Sequence, residues 1–303
     1  MSPLPENIID AHVHFWHPDQ VYIPWMRNTA FNKRLDAEQY ALDVEKVKVS
    51  SAVYVETDVH PVHGLVEADW IRRYSEEIKP SAAFGGISAI VAYAPVDHGK
   101  DVQGYIDMLI KVAGDKLRGV RHLIQDPSLD PWRVTDPSFV QGVQMLGKYG
   151  LTFDLNINCH AAPEQFPPLQ ILVSQCPHVQ FVLDHMAKPP CDRSPGEPEF
   201  EFWKSQLIAL AEYPNVACKV SGLVTETEEQ DSRGLVQRLQ PFVEVALTAF
   251  GEDRLMFGGD WSICESAVPW QTWIEVLVEI VKGWSEEARD KLFRRNAARI
   301  YRL

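Results

Sequence analysis

In "NIIDAHVHFW", residues 7–16, His12 and His14 stand at alternate positions near the end of an apolar run, just after Asp10. Alternate side chains of a strand share a face, which predicts that Asp10, His12 and His14 point the same way. Such a pair is either the hydrogen-bonded rim of an ordinary strand or the start of a metal site. Asp260 is harder to read as structural. It ends the run "RLMFGGDW", where two glycines let backbone and carboxylate approach a neighbour closely. Imidazoles and a carboxylate brought together can hold a cation, donate to a carbonyl oxygen or take a proton from water.

The elements that must carry these residues recur along the chain. Eight β-rich runs stand out: "NIIDAHVHF" (7–15), "SSAVYVET" (50–57), "ISAIVAYAPV" (87–96), "LRGVRHLI" (117–124), "LTFDLNIN" (151–158), "VQFVLDHM" (179–186), "VACKVSGL" (216–223) and "RLMFGGDW" (254–261). Between them, segments such as "DAEQYALDVEKVKV", "VEADWIRRYSEEI", "DVQGYIDMLIKVAG", "SFVQGVQMLGKYG" and "GLVQRLQPFVEVALTAFG" repeat apolar residues every three or four positions, the mark of helices with one buried face. Strands apolar on both sides and each followed by a helix predict a parallel sheet, and eight such units predict an α/β fold, one (β/α)8 TIM barrel over residues 1–303. An open doubly wound sheet is the rival. It lacks support because "DAHVHFW" stands where a glycine-rich phosphate loop would follow the first strand. Two long connections, residues 15–35 and 187–197, fall at the C-terminal end of the strands and predict walls of a site. The tail "SEEARDKLFRRNAARIYRL" predicts one or two helices packed on the outside.

Polar residues interrupt the apolar runs at one end. They are His12 and His14, Glu56, Arg121 and His122, Asn158 with His160 beyond it, Asp184 and His185, Lys219 and Ser221, and Asp260. In a barrel these ends converge on one rim. Structural readings stand beside the functional ones: Glu56 or Thr57 as a helix cap, Arg121 and Lys219 as partners of neighbouring carboxylates.

A formal net charge of -13 and the lack of a long basic run predict no nucleic-acid or anionic-membrane partner. No apolar stretch approaches the roughly 20 residues of a membrane span, and "MSPLPEN" lacks the order of a signal peptide, so a cytoplasmic location is expected. The five cysteines are scattered, with no C-x-x-C pair, which predicts reduced thiols rather than a disulfide framework or a structural zinc site.

Together, "IDAHVHFW", "RGVRHLI", "FDL", "VLDHMAKP", "KVSGL", "RLMFGGDW" and the closing "NAARIYRL" resemble the amidohydrolase superfamily, and within it the sugar-lactone hydrolases related to L-fuconolactonase and L-rhamnonolactonase. The likeness runs from about residue 7 to the C-terminus, apart from the third strand. Lactonases of 2-pyrone-4,6-dicarboxylate and related decarboxylases share much of the pattern. The resemblance maps the family's first-strand H-x-H onto His12 and His14, its sixth-strand histidine onto His185 and its eighth-strand aspartate onto Asp260. One departure concerns the fifth strand. Relatives often carry arginine and proline after "FDL-x-x", where this chain reads Asn158, Cys159 and His160.

What this implies is hydrolysis of a sugar lactone to its aldonic acid. Asp260 takes the water's proton, and His185 completes the coordination or donates to the carbonyl oxygen. His12, His14 and Asp260 would hold one divalent metal, zinc by ligand type, with manganese and iron also compatible. Asp10 is a candidate for orienting an imidazole. No strand-borne lysine is clearly placed to be carbamylated and bridge two ions, so at most one metal is expected. Metal-free catalysis, with the histidines as donors to the lactone, is the alternative. Candidate substrate contacts are Glu56, Arg121, His122, Asn158, His160, Trp25 and Trp261. Trp16, Tyr22, Trp25, Arg27 and Trp261 form a set suited to the C–H face of a neutral sugar ring, although the loop aromatics could equally form a small core of their own. The partner is then a small-molecule lactone, with assembly into a homo-oligomer left open.

Overall fold

A computed structural model describes residues 3–303. Eight strands follow one another in chain order around a barrel: β1 Ile8–Val13, β2 Val49–Val55, β3 Ile87–Tyr93, β4 Leu117–Arg121, β5 Thr152–Leu155, β6 Phe181–Leu183, β7 Val216–Val220 and β8 Leu255–Phe257. Neighbours pair in parallel, and a parallel bridge between Val13 and Trp261 brings β1 back against the chain after β8. A helix follows each strand: α1 Ala37–Asp43, α2 Gly64–Glu77, α3 Val102–Ala113, α4 Pro137–Tyr149, α5 Phe166–Gln175, α6 Pro198–Ala211, α7 Ser232–Phe250 and α8 Trp270–Ile280. The helix ends obey local rules. Asp36 and Asp231 accept from the first free N–H groups of α1 and α7, and Gly150 ends α4 in the left-handed conformation. Among the described residues no helix is long and apolar enough to cross a membrane.

Two apolar layers result. The larger lies between strands and helices; the smaller fills the barrel with Ile9, Ala11, Val53, Val55, Ala89, Val91, Val182, Ala217 and Met256. The inner layer also contains Ala297, Ile300 and Tyr301 of the last helix, α10 Asn296–Tyr301, which follows α9 Glu286–Asp290. The tail is therefore not simply packed on the outside. Its end closes the N-terminal mouth of the barrel, where the Tyr301 hydroxyl donates to Asp154 Oδ2 at 2.7 Å.

β1 departs from strict alternation. Asp10 pairs with Ala52 but Val13 pairs with Tyr54, so β1 holds one residue more than β2 between those points. This bulge reverses the phase. Asp10 turns outward, accepting from Tyr40 Oη at 2.8 Å, Trp270 Nε1 at 3.0 Å and the backbone N–H of Gly259 at 2.7 Å, while His12 and His14 face the interior. The expectation that all three share a face fails here. Asp10 also accepts from the His12 backbone N–H at 3.1 Å, so it anchors the chain that carries the histidines and does not orient an imidazole.

Candidate active site

Closing the barrel brings the first and last strands' residues together. The Asp260 N–H donates to the His12 carbonyl at 2.8 Å and the His14 N–H to the Trp261 carbonyl at 2.6 Å, fixing both histidines against the carboxylate. His12 Nε2 lies 3.1 Å from His14 Nε2, and Asp260 Oδ1 lies 3.8 Å from the first and 3.6 Å from the second. His185 Nε2 completes the group at 4.0 Å from Asp260 Oδ1. All four side chains are buried.

His185 reaches this point because the chain leaves β6 sharply. His185, Met186, Ala187 and Lys188 all have positive φ, between 49° and 66°, although none is glycine. Each such residue costs about 1–2 kcal/mol relative to the right-handed region, so packing must hold the turn. Trp203 Nε1 donates to the Met186 carbonyl at 2.8 Å, and the N–H groups of Cys159 and His160 donate to Ala187 and Lys188 at 2.9 Å each. Ser221 Oγ meets His185 Nδ1 at 2.9 Å. Gly222 is required beside it: its φ is 65°, and a Cβ there would stand 2.7 Å from His185 Nδ1.

Below the histidines lies a buried charge network. Lys219 Nζ contacts Asp154 Oδ2 at 2.7 Å, Asp184 Oδ1 at 2.9 Å and His12 Nδ1 at 3.2 Å. Arg121 contacts Asp184 Oδ2 at 3.3 Å and Glu56 Oε1 at 2.7 Å, and also donates to the Glu56 carbonyl. Pairing with carboxylates, the structural reading of Arg121 and Lys219, is what these contacts describe. Lys219 sits on β7 between two carboxylates rather than free for carbamylation. Burial pushes the Glu56 carboxyl up to about 7 against the pull of Arg121. Burial also pushes His185 down to about 4, so its ring is neutral near pH 7. Asp260 goes the other way: burial opposes its charge, but His185, His14 and His12 hold its carboxyl well below the usual range.

The donor set fits a single cation. His12, His185 and Asp260 each offer one ligand atom, all within 4.8 Å of one another, so His185 stands in this group where His14 was expected beside His12 and Asp260. His14 lies against two of its members. The His14 Nδ1 is 2.8 Å from the Val55 carbonyl, which can only accept, so Nδ1–H donates there and turns Nε2 towards His12. Two ring nitrogens 3.1 Å apart call for a proton or a cation between them.

Above this group opens a cavity of about 300 Å³, lined by His14, Trp16, Trp25, Thr57, Asp58, Arg121, Leu123, Gln125, Asn156, His185, Lys188, Asp260 and Ile263. Both long connections contribute to it, through Trp16 and Trp25 and through Lys188. A larger hollow of about 900 Å³ lies beside Pro3–Glu6 and the tail helices, away from these groups.

Of the expected substrate contacts, Trp25 and Arg121 line the cavity. The others do not. Trp261 is fully buried on the helix side, donating to Asp43 at 2.9 Å and packing on Phe15 and Tyr40, because the strand phase turns it away from Asp260. Glu56 lies beneath Arg121. His122 stacks on Tyr93 behind the wall, with Nδ1 3.2 Å from the Ala94 carbonyl. Asn158 accepts from the Ala161 N–H at 2.9 Å, and His160 pairs with Glu226 at 3.1 Å. Tyr22 packs on His60 and His63, with Arg27 over its ring. Sequence reasoning missed Asn156, Gln125, Lys188 and Asp58, which follow strands in turns, and it missed Asp154. The last had a signal: a lone acid inside "LTFDL" needs a buried base, which "VACKV" supplies.

The chain belongs to the amidohydrolase family, whose model matches residues 9–303. It is 28% identical to an L-fucono-1,5-lactonase of Burkholderia ambifaria, over 97% of this chain and 95% of that protein. It is 24% identical to an L-rhamnono-gamma-lactonase of Scheffersomyces stipitis, over 98% of this chain and 99% of that protein. Among solved structures it superposes on an amidohydrolase from Burkholderia multivorans with bound zinc, with a TM-score of 0.80 and 25% identity, over 98% and 99% of the two chains.

Proposed function

We propose that this protein hydrolyses a sugar-derived lactone to its aldonic acid. The observation that carries the reading is the ionised Asp260 set among three imidazoles at the floor of a small cavity walled by Trp16 and Trp25. The names of the lactonase relatives support the same substrate class. Asp260 accepts the proton of a water aimed at the lactone carbonyl and returns it to the ring oxygen as the C–O bond breaks. His14 and His185 line the floor, and His185 donates to the carbonyl oxygen when no cation takes its Nε2. A divalent cation, zinc by ligand type, held by His12, His185 and Asp260 with His14 alongside, would supply a lower pKa for its bound water and a polarised carbonyl.

The rival on the same site, a pyrone dicarboxylate lactonase or a decarboxylase, needs cationic forks for carboxylates. Arg121 is already engaged by Glu56 and Asp184, and Lys188, the other cation on the lining, lies 3.9 Å from Glu226, which leaves no free fork and disfavours it. A panel of L-sugar lactones, with acid release followed by a pH indicator, tests the reading. Release above the spontaneous rate is expected from at least one; none from any lactone, with or without added Zn²⁺ or Mn²⁺, overturns it.

A further inference from the structure

Two amides facing the cavity have no part in the site as described. Asn156, directly after β5, is 2% exposed, and its Oδ1 is buried with no hydrogen-bond partner among the described residues. Gln125, four residues after β4, is half-buried, and its Oε1 is likewise buried and unpartnered. Neighbouring Asn158 shows the contrast, since its amide oxygen is satisfied by the Ala161 N–H. Folded proteins pair nearly all buried polar atoms, so two orphan acceptors on one cavity wall call for donors carried by the occupant.

We propose that Asn156 and Gln125 read ring hydroxyls, selecting a neutral, polyhydroxylated ring over an unsubstituted or carboxylated one. A hydroxyl can donate to an amide oxygen and accept from the amide nitrogen beside it. A carboxylate brings no donor at neutral pH, and the Lys188 that could attract it on the same lining is shared with Glu226 at 3.9 Å. Trp16, Trp25 and Leu123 leave the ring's C–H surface an apolar counterpart. The choice of a lactone rests on the proposed function; the need for hydroxyl donors does not.

The test therefore separates recognition from turnover. The probe for recognition is a polyhydroxylated six-membered lactam, which resists hydrolysis, with binding measured by calorimetry. The probes for turnover are the matching aldonolactone and unsubstituted δ-valerolactone. Wild-type protein is expected to bind the polyhydroxylated lactam at least tenfold more tightly than δ-valerolactam. Asn156→Ala and Gln125→Ala should each reduce that preference, and the kcat/KM ratio of the two lactones, at least fivefold. Gln125 is half-buried, so its variant stands as the folding-safe arm if Asn156→Ala fails to fold. Binding with this preference but without hydrolysis of any lactone would retain hydroxyl reading and remove the lactonase reading. Hydrolysis with a preference that Gln125→Ala leaves unchanged, or no preference for hydroxyls at all, would overturn hydroxyl reading alone. Neither binding nor hydrolysis would overturn both.

Discussion

Replacing Lys219 by methionine keeps the side chain's length and removes its charge between two fully buried carboxylates, Asp154 at 2.7 Å and Asp184 at 2.9 Å. At an effective dielectric constant near 20, each contact represents about 6 kcal/mol of Coulomb attraction. Desolvation of the ions offsets most of that, and removing one partner of such a buried group costs about 3–5 kcal/mol net. Lys219→Met should therefore lower the free energy of unfolding by about 3–5 kcal/mol at pH 7, measured in denaturant. The loss should also depend on pH. Burial raises the Asp184 carboxyl, but Lys219 and His12 overcome this and hold it well below its ordinary value. In wild type its stabilisation is present above the ordinary carboxylate range and fades as pH falls. Without Lys219, burial prevails and the carboxyl takes up a proton more readily, which favours the folded variant in acid. The gap between the proteins should thus narrow from pH 7 towards pH 4. Adding Asp154→Asn to the variant should recover about 1 kcal/mol or more by removing one unpaired charge. A Lys219→Met protein within about 1 kcal/mol of wild type at pH 7, with no pH dependence, would refute the reasoning.

Asp10→Ala leaves donors of Tyr40, Trp270, Gly259 and His12 without their acceptor, and should cost about 3 kcal/mol or more in stability; a loss below about 1 kcal/mol would show that water replaces the carboxylate. Tyr301→Phe keeps the ring near Lys219 and removes the donor to Asp154, so a loss of about 1–3 kcal/mol is expected, read from denaturant unfolding. If the histidine cluster holds a required cation, elemental analysis should find about one equivalent of metal per chain, chelation should abolish activity, and a His12→Ala, His14→Ala protein should carry none. Full activity in metal-free protein would remove the metal assignment while leaving Asp260 as the base.

The alternation of apolar runs and helical periodicity carried the barrel, and strand starts fell within two residues of where the pattern puts them. Strand ends did not. β6 stops at Leu183 and β8 at Phe257, so His185 and Asp260 lie in turns beyond the strands that lead to them. The turn after β6 runs through positive φ without glycine, held by Trp203 and by backbone donors from the segment after β5, and the turn after β8 is held by Trp273 and by the pairing of Asp260 with His12, contacts between segments far apart in sequence. The bulge in β1 was hidden for a similar reason: it is defined by the register with β2, which no property of "IDAHVH" reveals. That same hidden phase explains why Asp10 was misplaced, and the phase of the segment after β8 misled in the same way for Trp261. The converging His12, His14, His185 and Asp260 were legible because polar residues ending apolar strands have few structural reasons to be there. Asn156 and Gln125 were not, since an amide in a turn signals nothing until its oxygen is seen to lack a partner.

The most direct measurement compares acid release by wild-type protein and Asp260→Asn on whichever lactone of the panel the wild type turns over fastest. The substitution keeps the side chain's shape and removes the proton acceptor. A fall in kcat of about 10²-fold or more is expected, with the fold retained by circular dichroism and the thermal midpoint somewhat lowered, since the histidines favour the carboxylate that is lost. A variant that keeps more than a tenth of wild-type activity, or wild-type protein that releases no acid above the spontaneous rate, would contradict it.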